Sequence, residues 1–523
     1  MTRRPFVDLL SVLSAPLLVL GSAHELFFRN QRELSGTASV LEPFWWATVT
    51  AILLGWMLAR RCDRPWARTA LWAYQAAGAT FLIYSFLRGT GGYLMRAFDK
   101  PASLLFVAAF YLTLVITLRR CDHAASRNPL AVFGVVLAFQ LAVQWTIRSV
   151  EVPGPRPRAA PRLGAAKPGL PNVYHLVLDG FQSEFFDLAW PAGKPLEGFV
   201  HVAGTRSFFG ATALSMASTF MSRRPTPFAP ALQTATSAED SLLQRLRSVG
   251  YRTAGYLPGE VYPPQIAGFD AIMWHELSMP RSEAEPLHRR LFRRLWLAAT
   301  LPIGIVDTPE TKNVLGMGND QDHPLRDRRI STLTQPITAV LSFAQYLEHE
   351  AALPSEGRYT LIHLLVPHGP FVLGADCGYH DIWQGTNGME QHKCAVLVIE
   401  RFLKRLDELG RLNDSVVVIQ SDHGSDIRWE SGAVVSTPWI PTLGDRPALF
   451  LFKPRRSQSP LRRITGTAAL IDLVPTLFQS LGLPASPSWE GHALQCGAAP
   501  ASPPRGEPNL LSLPAGGIAP ACF

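Results

Sequence analysis

Apolar residues are spread unevenly along this chain. The first third carries five long, nearly uncharged runs, at 6–21, 41–59, 66–87, 102–118 and 130–147, separated by arginine-bearing turns. Each approaches the ~20 residues a helix needs to cross a bilayer, so the pattern predicts five membrane spans. Beyond 171 the pattern shortens. Strands are predicted at Val173–Leu178, 252–256, 359–365, 415–420 and 448–452, with helical periodicity at 241–249 and 394–409. Alternating strands and helices argue a mostly parallel sheet with helices on both faces. The expected fold is a multi-pass α-helical membrane domain followed by an α/β domain.

Between the two lies a tether, 150–171, that contains Pro153, Pro155, Pro157, Pro161, Pro168 and Pro171 and has the composition of a semi-rigid spacer. The expected division is 1–149 for the five spans, 150–171 for the linker, 172–484 for the α/β domain, and 485–523 for a tail rich in Pro, Gly and Ala. A segment at 287–305, with Arg289, Arg290, Arg293 and Arg294 ahead of Leu-Trp-Leu, is too short to span. It reads equally as an interfacial helix or as a basic helix packed on a core.

Composition supports this division. At 523 residues the chain exceeds one ordinary core, and only 17% of it is charged. Arg3 and Arg4, then Arg60, Arg61, Arg64 and Arg68, then Arg119, Arg120 and Arg127 mark cytoplasmic segments. An odd number of spans then puts everything after 147 on the extracytoplasmic side of the cell (inner) membrane. Gly21-Ser22-Ala23 has the small residues of a signal-peptidase site, so a cleaved leader is the alternative for the first span; the four later spans favour a retained anchor. Cys62 and Cys121 fall in cytoplasmic turns. Cys377, Cys394, Cys496 and Cys522 fall on the oxidising side, where four cysteines allow three pairings. Proximity favours Cys377–Cys394 and Cys496–Cys522. The net charge of +8 need not mean nucleic acid, since much of it is topological and the remainder could face anionic lipid headgroups.

Candidate chemistry sits where strands run out, since ligands of open α/β sheets bind at the carboxyl ends of the strands. One strand ends Leu178-Asp179-Gly180, and another ends Ile419-Gln420-Ser421-Asp422-His423-Gly424. A small-residue segment, Thr212-Ala213-Leu214-Ser215, opens what reads as a helix, where backbone N–H groups suit a phosphate or sulfate. Together Asp179, Thr212, Asp422 and His423 supply the oxygen and nitrogen donors for one divalent cation, Zn²⁺ or Mn²⁺, with Mg²⁺ or Ca²⁺ as alternatives. Such a cation makes the Thr212 hydroxyl a nucleophile. Ser215 competes for that role. His368, in Val366-Pro367-His368-Gly369-Pro370, lies just past a strand on the same rim and is placed to protonate a leaving oxygen or contact the transferred group. His363, within that strand, reads as structural.

These motifs resemble the alkaline phosphatase superfamily, in its membrane-anchored, sulfatase-like branch. Supporting marks are the helix-to-strand passage Leu246-Arg247-Ser248-Val249-Gly250-Tyr251-Arg252-Thr253, the Asn413-Asp414-Ser415 lead-in, and the closing Ile471-Asp472-Leu473-Val474-Pro475-Thr476-Leu477. Five spans ahead of an exported domain look like lipid A phosphoethanolamine transferases and lipoteichoic acid synthases. The nucleophile region of the former reads Thr-Ala-Val-Ser, similar to Thr212-Ala213-Leu214-Ser215, and its Ser-His-Gly-Pro element is similar to Pro367-His368-Gly369-Pro370. The resemblance implies that Thr212 accepts a phosphoryl headgroup from a membrane phospholipid and passes it to an envelope lipid or glycan. It also implies Asp179, Asp422, His423 and the Thr212 oxygen as the metal ligands.

Two departures bear on the substrate. Those transferases usually carry Glu where this chain has Asp179, and they place another histidine soon after the Asp-His-Gly; here the next is His492. Arg428 is the candidate phosphate contact in that region. A formylglycine mechanism is disfavoured, because threonine cannot give formylglycine and Ser215-Met216-Ala217-Ser218-Thr219 lacks the closing arginine. The alternatives are a phosphate- or sulfate-ester hydrolase on the same fold and a catalytically inactive membrane scaffold.

Overall fold

The computed structural model describes residues 163–494 apart from 165, 225–230, 276–280, 301–329, 381–387, 425–426, 431–432 and 437–446. It also describes most of 38–89 and single positions between 20 and 34 and between 111 and 116. These residues fall into two compact units.

In the N-terminal unit the expected second and third spans form the helices Glu42–Arg60 and Pro65–Gly89. With the 3-10 turn before it, the first gives Ser39–Leu58, the one helix among the described residues long and apolar enough to cross a membrane. The second is long enough at ~1.5 Å per residue, but Arg68, Tyr74, Gln75 and Thr80 dilute its apolar character. The spans expected at 6–21, 102–118 and 130–147 lie outside the described residues except at isolated positions, as do Cys62, Cys121, Cys496 and Cys522. Glu42–Arg60 exposes Trp46 (64%), Leu53 (53%), Trp45, Leu54 and Met57 on its outer face. The helix Arg281–Thr300 belongs to this unit. It buries Leu287, Leu291, Phe292 and Leu295 and keeps Arg289, Arg290 and Arg293 exposed. Phe44 meets the rings of Phe292 at 5.6 Å and Trp296 at 4.9 Å, so the segment packs as a helix on this unit.

The second unit is built on an eight-stranded sheet of β1 (Val173–Leu178), β2 (Val200–Arg206), β3 (Arg252–Leu257), β4 (Ala271–Trp274), β5 (Arg358–Leu364), β6 (Val416–Gln420), β9 (Phe450–Lys453) and β10 (Arg462–Ala469). The order is β10-β2-β9-β6-β1-β5-β3-β4. Only β9 runs against its neighbours, β2 and β6. β7 (Ile427–Glu430) and β8 (Ala433–Ser436) form a separate antiparallel hairpin. Strands β1, β5 and β6 are wholly buried, as expected of near-continuous apolar runs covered on both faces. Successive side chains alternate between faces. Val173 and Val177 enter a core with Met216, Phe220, Leu243, Leu246 and Leu477. Tyr174 points the other way, its ring 6.0 Å from Phe402 on the helix Gly388–Glu408.

Three strands escape apolar patterning: β2 carries His201 and Thr205, β4 has four residues, and the edge strand β10 opens on two arginines. Tertiary pairing, not local propensity, makes them strands.

At the end of the sheet where β5 begins, fully buried Arg358 and Glu350 meet at 2.5 Å. The same Glu350 oxygen accepts from Arg411 at 2.5 Å and from the Tyr174 hydroxyl at 2.6 Å. Burial alone would raise the Glu350 carboxyl, but Arg358, Tyr174 and Arg411 outweigh it and hold its pKa below the usual value. A depressed folded pKa stabilises the fold above the ordinary carboxylate range, and that contribution is lost as pH falls through the folded value. Glu350→Leu leaves two guanidinium groups without their carboxylate, at a cost of about 3–5 kcal/mol. The expected outcome is a clear drop in the melting temperature of the full chain at neutral pH, with a smaller gap between variant and wild type in strong acid.

Candidate active site

The pairing of Leu178 with Leu364 and of Val177 with Gln420 sets the carboxyl ends of β5, β1 and β6 level. Parallel strands therefore deliver Asp179, His368 and the Asp422–His423 pair to one edge. After β1 the chain turns at Gly180, whose φ of +71° favours glycine. That turn aims the Gly180 N–H at Asp422 Oδ1, 3.0 Å away, while the Asp179 N–H donates to the Leu364 carbonyl at 3.0 Å. The two strand ends are thus tied together through a carboxyl group.

Thr212 is the first residue of the helix Thr212–Met221. Its hydroxyl donates to Asp179 Oδ2 at 3.2 Å and lies 3.3 Å from His423 Nε2. His423 Nε2 is 3.2 Å from Asp422 Oδ2 and 3.8 Å from Asp179 Oδ1. The other ring nitrogen, Nδ1, is 2.8 Å from the Gly424 carbonyl. A carbonyl only accepts, so Nδ1 carries a hydrogen, and Nε2 faces the two carboxyl groups. Asp179, Asp422 and His423 are all buried, with ligand atoms within 4.8 Å of one another. Asp179 Oδ1 and Asp422 Oδ2 accept no hydrogen bond.

These distances can be set against a metal shell. Four donors about 2.0–2.2 Å from a tetrahedral ion stand about 3.3–3.6 Å apart. The measured separations bracket that range, and two buried acceptor oxygens without donors are atoms that a cation satisfies. The residues present fit a divalent metal, and the donor set of carboxyl oxygens, hydroxyl and imidazole suits Zn²⁺ or Mn²⁺.

Ser215 stands one helical turn beyond Thr212 but is turned away. Its buried hydroxyl bonds the Asp422 carbonyl and lies 2.6 Å from the Ser207 hydroxyl. Of the two candidate nucleophiles, only Thr212 meets the carboxyl–imidazole cluster.

His368 is half-buried, with Nδ1 donating to the Gly369 carbonyl at 2.6 Å. Burial pushes the Asp179 carboxyl up. The neighbouring imidazoles of His368, His363 and His423 outweigh it, and the pKa ends below its ordinary value. His363, read from the sequence as structural, comes close to the cluster. It is fully buried, Nε2 is 3.6 Å from Asp179 Oδ2, and Nδ1 is 2.8 Å from the Tyr262 hydroxyl. Nothing local distinguishes a strand histidine that faces a core from one that faces a strand-end carboxyl, which is why the sequence missed it.

Arg428 lies on β7, with its guanidinium 2.7 Å from Glu430 two residues along the same strand. His392 is a core residue that stacks on Phe185 at 4.2 Å, and burial lowers its pKa to about 4. His380 is exposed. Cys377 and Cys394 form a disulfide with S–S 2.05 Å.

The chain was compared with known proteins. No curated protein matches it. Among solved structures, a protein of the alkaline phosphatase superfamily from Vibrio parahaemolyticus is 12% identical over 65% of this chain and 74% of that one, at a TM-score of 0.41. The integral membrane lipooligosaccharide phosphoethanolamine transferase A (EptA) of Neisseria meningitidis is 14% identical over 93% of this chain and 96% of its own, at 0.35. The lipoteichoic acid synthase LtaP of Listeria monocytogenes is 17% identical over 62% and 74%, at 0.33. Assignment rests instead on the sequence model of the Sulfatase family, which matches residues 204–483, more than half of the chain. The chain belongs to the Sulfatase family.

Proposed function

We propose that this protein is a membrane-held, metal-dependent transferase that moves a phosphoryl headgroup from a phospholipid, through a covalent adduct on Thr212, to an envelope lipid or glycan. The observation that carries the reading is the meeting of Thr212 Oγ1 with Asp179 and His423 at 3.2 and 3.3 Å, beside carboxyl oxygens that accept no hydrogen bond. Asp179, Asp422, His423 and Thr212 would hold the metal. When bound, the cation lowers the pKa of the Thr212 hydroxyl and offsets charge on the phosphoryl oxygens.

The chain's own residues do the rest. In the first half-reaction Thr212 Oγ bonds to phosphorus as the bond from phosphorus to the glyceride oxygen breaks. Thr212 loses its proton to solvent water and His368 supplies one to the departing oxygen, so no net proton is consumed. In the second, an acceptor hydroxyl displaces Thr212, and the two proton transfers run in reverse. Ser215 holds the Asp422 backbone and the nucleophile helix in fixed relation.

The apolar outer face of Glu42–Arg60, with Trp46 and Leu53 more than half exposed, supports a lipid environment for the N-terminal unit. Five spans at 1–149 and a linker at 150–171 would put the catalytic domain, 172–484, on the extracytoplasmic side of the cell membrane, at the level of both substrates. Hydrolysis is the second reading, favoured by the sulfatase family match, with water as the acceptor.

The purified full chain is expected to carry about one equivalent of divalent metal, and Asp422→Ala is expected to lose it, as read by elemental analysis. After incubation with a headgroup-labelled phospholipid, mass spectrometry should find the headgroup phosphate on the peptide containing Thr212. No metal in wild type, or an adduct on Ser215, would sink the reading. Label that ends on an envelope lipid or glycan marks a transferase; label released free marks a hydrolase.

His363→Gln tests the outer partner of Asp179. Loss of such a partner typically weakens metal affinity about 10–100-fold. Competition with a chromophoric chelator measures it, and an unchanged affinity would make His363 a core residue only.

A further inference from the structure

The loop after β5 carries His368, and little in its own sequence fixes it in place. Two prolines in 366–370 donate no N–H, and buried backbone groups that lack ladder partners need others. Those partners come from one side chain 23 residues further on. Gln391 lies in the first turn of the helix Gly388–Glu408 and is fully buried. Its Nε2 donates to the carbonyls of His368 at 2.7 Å, Pro367 at 3.1 Å and Pro370 at 3.3 Å. Its Oε1 accepts from the N–H groups of Val372 at 2.9 Å and Leu373 at 3.0 Å. A primary amide has two hydrogens and two lone pairs, so this group is saturated by one loop, with its two hydrogens shared among three carbonyls. Three residues on, and therefore on the same face of the helix, Cys394 is bonded to Cys377 beyond the loop's far end.

We propose that Gln391 is a positioning residue for His368. By bonding the His368 carbonyl and its neighbours on both sides, it fixes where the Cα–Cβ bond of His368 points, and so holds the imidazole on the rim where β5 ends. The inference rests on the reading of His368 as a member of the active site. Gln391 touches no substrate and contributes nothing to metal binding.

The test is a four-variant comparison in the full chain: wild type, Gln391→Leu, His368→Ala and the double variant. Transfer from headgroup-labelled phospholipid gives kcat and KM, and metal content is measured alongside. Misplacement of a catalytic group by about 1 Å can cost about 100-fold in rate. Gln391→Leu is therefore expected to lower kcat on that order, with metal content and KM near wild type. In the His368→Ala background the same change should add less than about threefold, because the group it positions is already gone. An equal loss in both backgrounds overturns the proposal and leaves His368 in place. A His368→Ala chain as active as wild type overturns the His368 reading and the proposal with it. Should Gln391→Leu fail to accumulate, Gln391→Glu keeps the size and the acceptors but loses the donors to the three carbonyls, and the same comparison applies.

Discussion

The structure of the sheet unit turns on two aspartates that are buried and face each other across neighbouring strand ends. Burying a carboxyl group is tolerated only where donors or a counter-charge meet its oxygens; otherwise it costs several kcal/mol. Asp422 Oδ1 takes the N–H of Gly180, but Asp422 Oδ2 and Asp179 Oδ1 take none. The imidazoles of His368, His363 and His423 surround Asp179 and pull its carboxyl down against burial. An arrangement that collects acceptor atoms and then withholds donors makes sense as a cation site, and the placement of Thr212 follows from it. A hydroxyl at that point shares whatever neutralises the carboxyl groups, whereas Ser215, one turn away, has its hydroxyl taken by the Asp422 carbonyl.

Rigidity comes from the backbone as much as from side chains. The level ends of β1, β5 and β6 are a consequence of parallel register, and each of these strands is fully buried. The helix Thr212–Met221 is joined to the end of β6 through Ser215, and the Asp179 turn is joined to it through Gly180. Each tie uses a buried polar group whose loss would strand a partner, so the geometry is held by the penalty for breaking it rather than by the strength of any one bond. The Arg358–Glu350–Arg411 cluster does the same where β5 begins.

How much of this was legible in the sequence depended on whether local pattern and tertiary context agreed. Val173–Leu178 and 416–420 are apolar runs cut off by Asp, so strand, turn and candidate ligand were readable together. Thr212 was readable as a helix start, and the contest with Ser215 needed coordinates, since both lie on one turn and only packing decides which hydroxyl faces the cluster. β2 and β10 were not readable: their pairing buries His201 and Thr205 and leaves Arg462 and Arg463 on an edge, a pattern indistinguishable from loop. Arg428, the candidate phosphate contact, lies on β7 beside Glu430 of the same strand, and pattern alone does not make that segment a strand. Gln391 had no signal at all, because its five partners are backbone atoms.

The asymmetry between His423 and His363 shows how one residue type serves two purposes around the same carboxyl group. His423 lies beyond the end of β6 and spends its Nδ1 hydrogen on the Gly424 carbonyl, which leaves Nε2 facing the cluster. His363 lies within β5, one strand over, with Nδ1 against the Tyr262 hydroxyl and Nε2 toward Asp179 Oδ2. If Tyr262 donates to Nδ1, Nε2 carries a hydrogen aimed at the carboxyl oxygen. The two rings thus approach opposite oxygens of the same carboxyl group from neighbouring strands, His423 toward Asp179 Oδ1 and His363 toward Oδ2, each held from behind by its Nδ1.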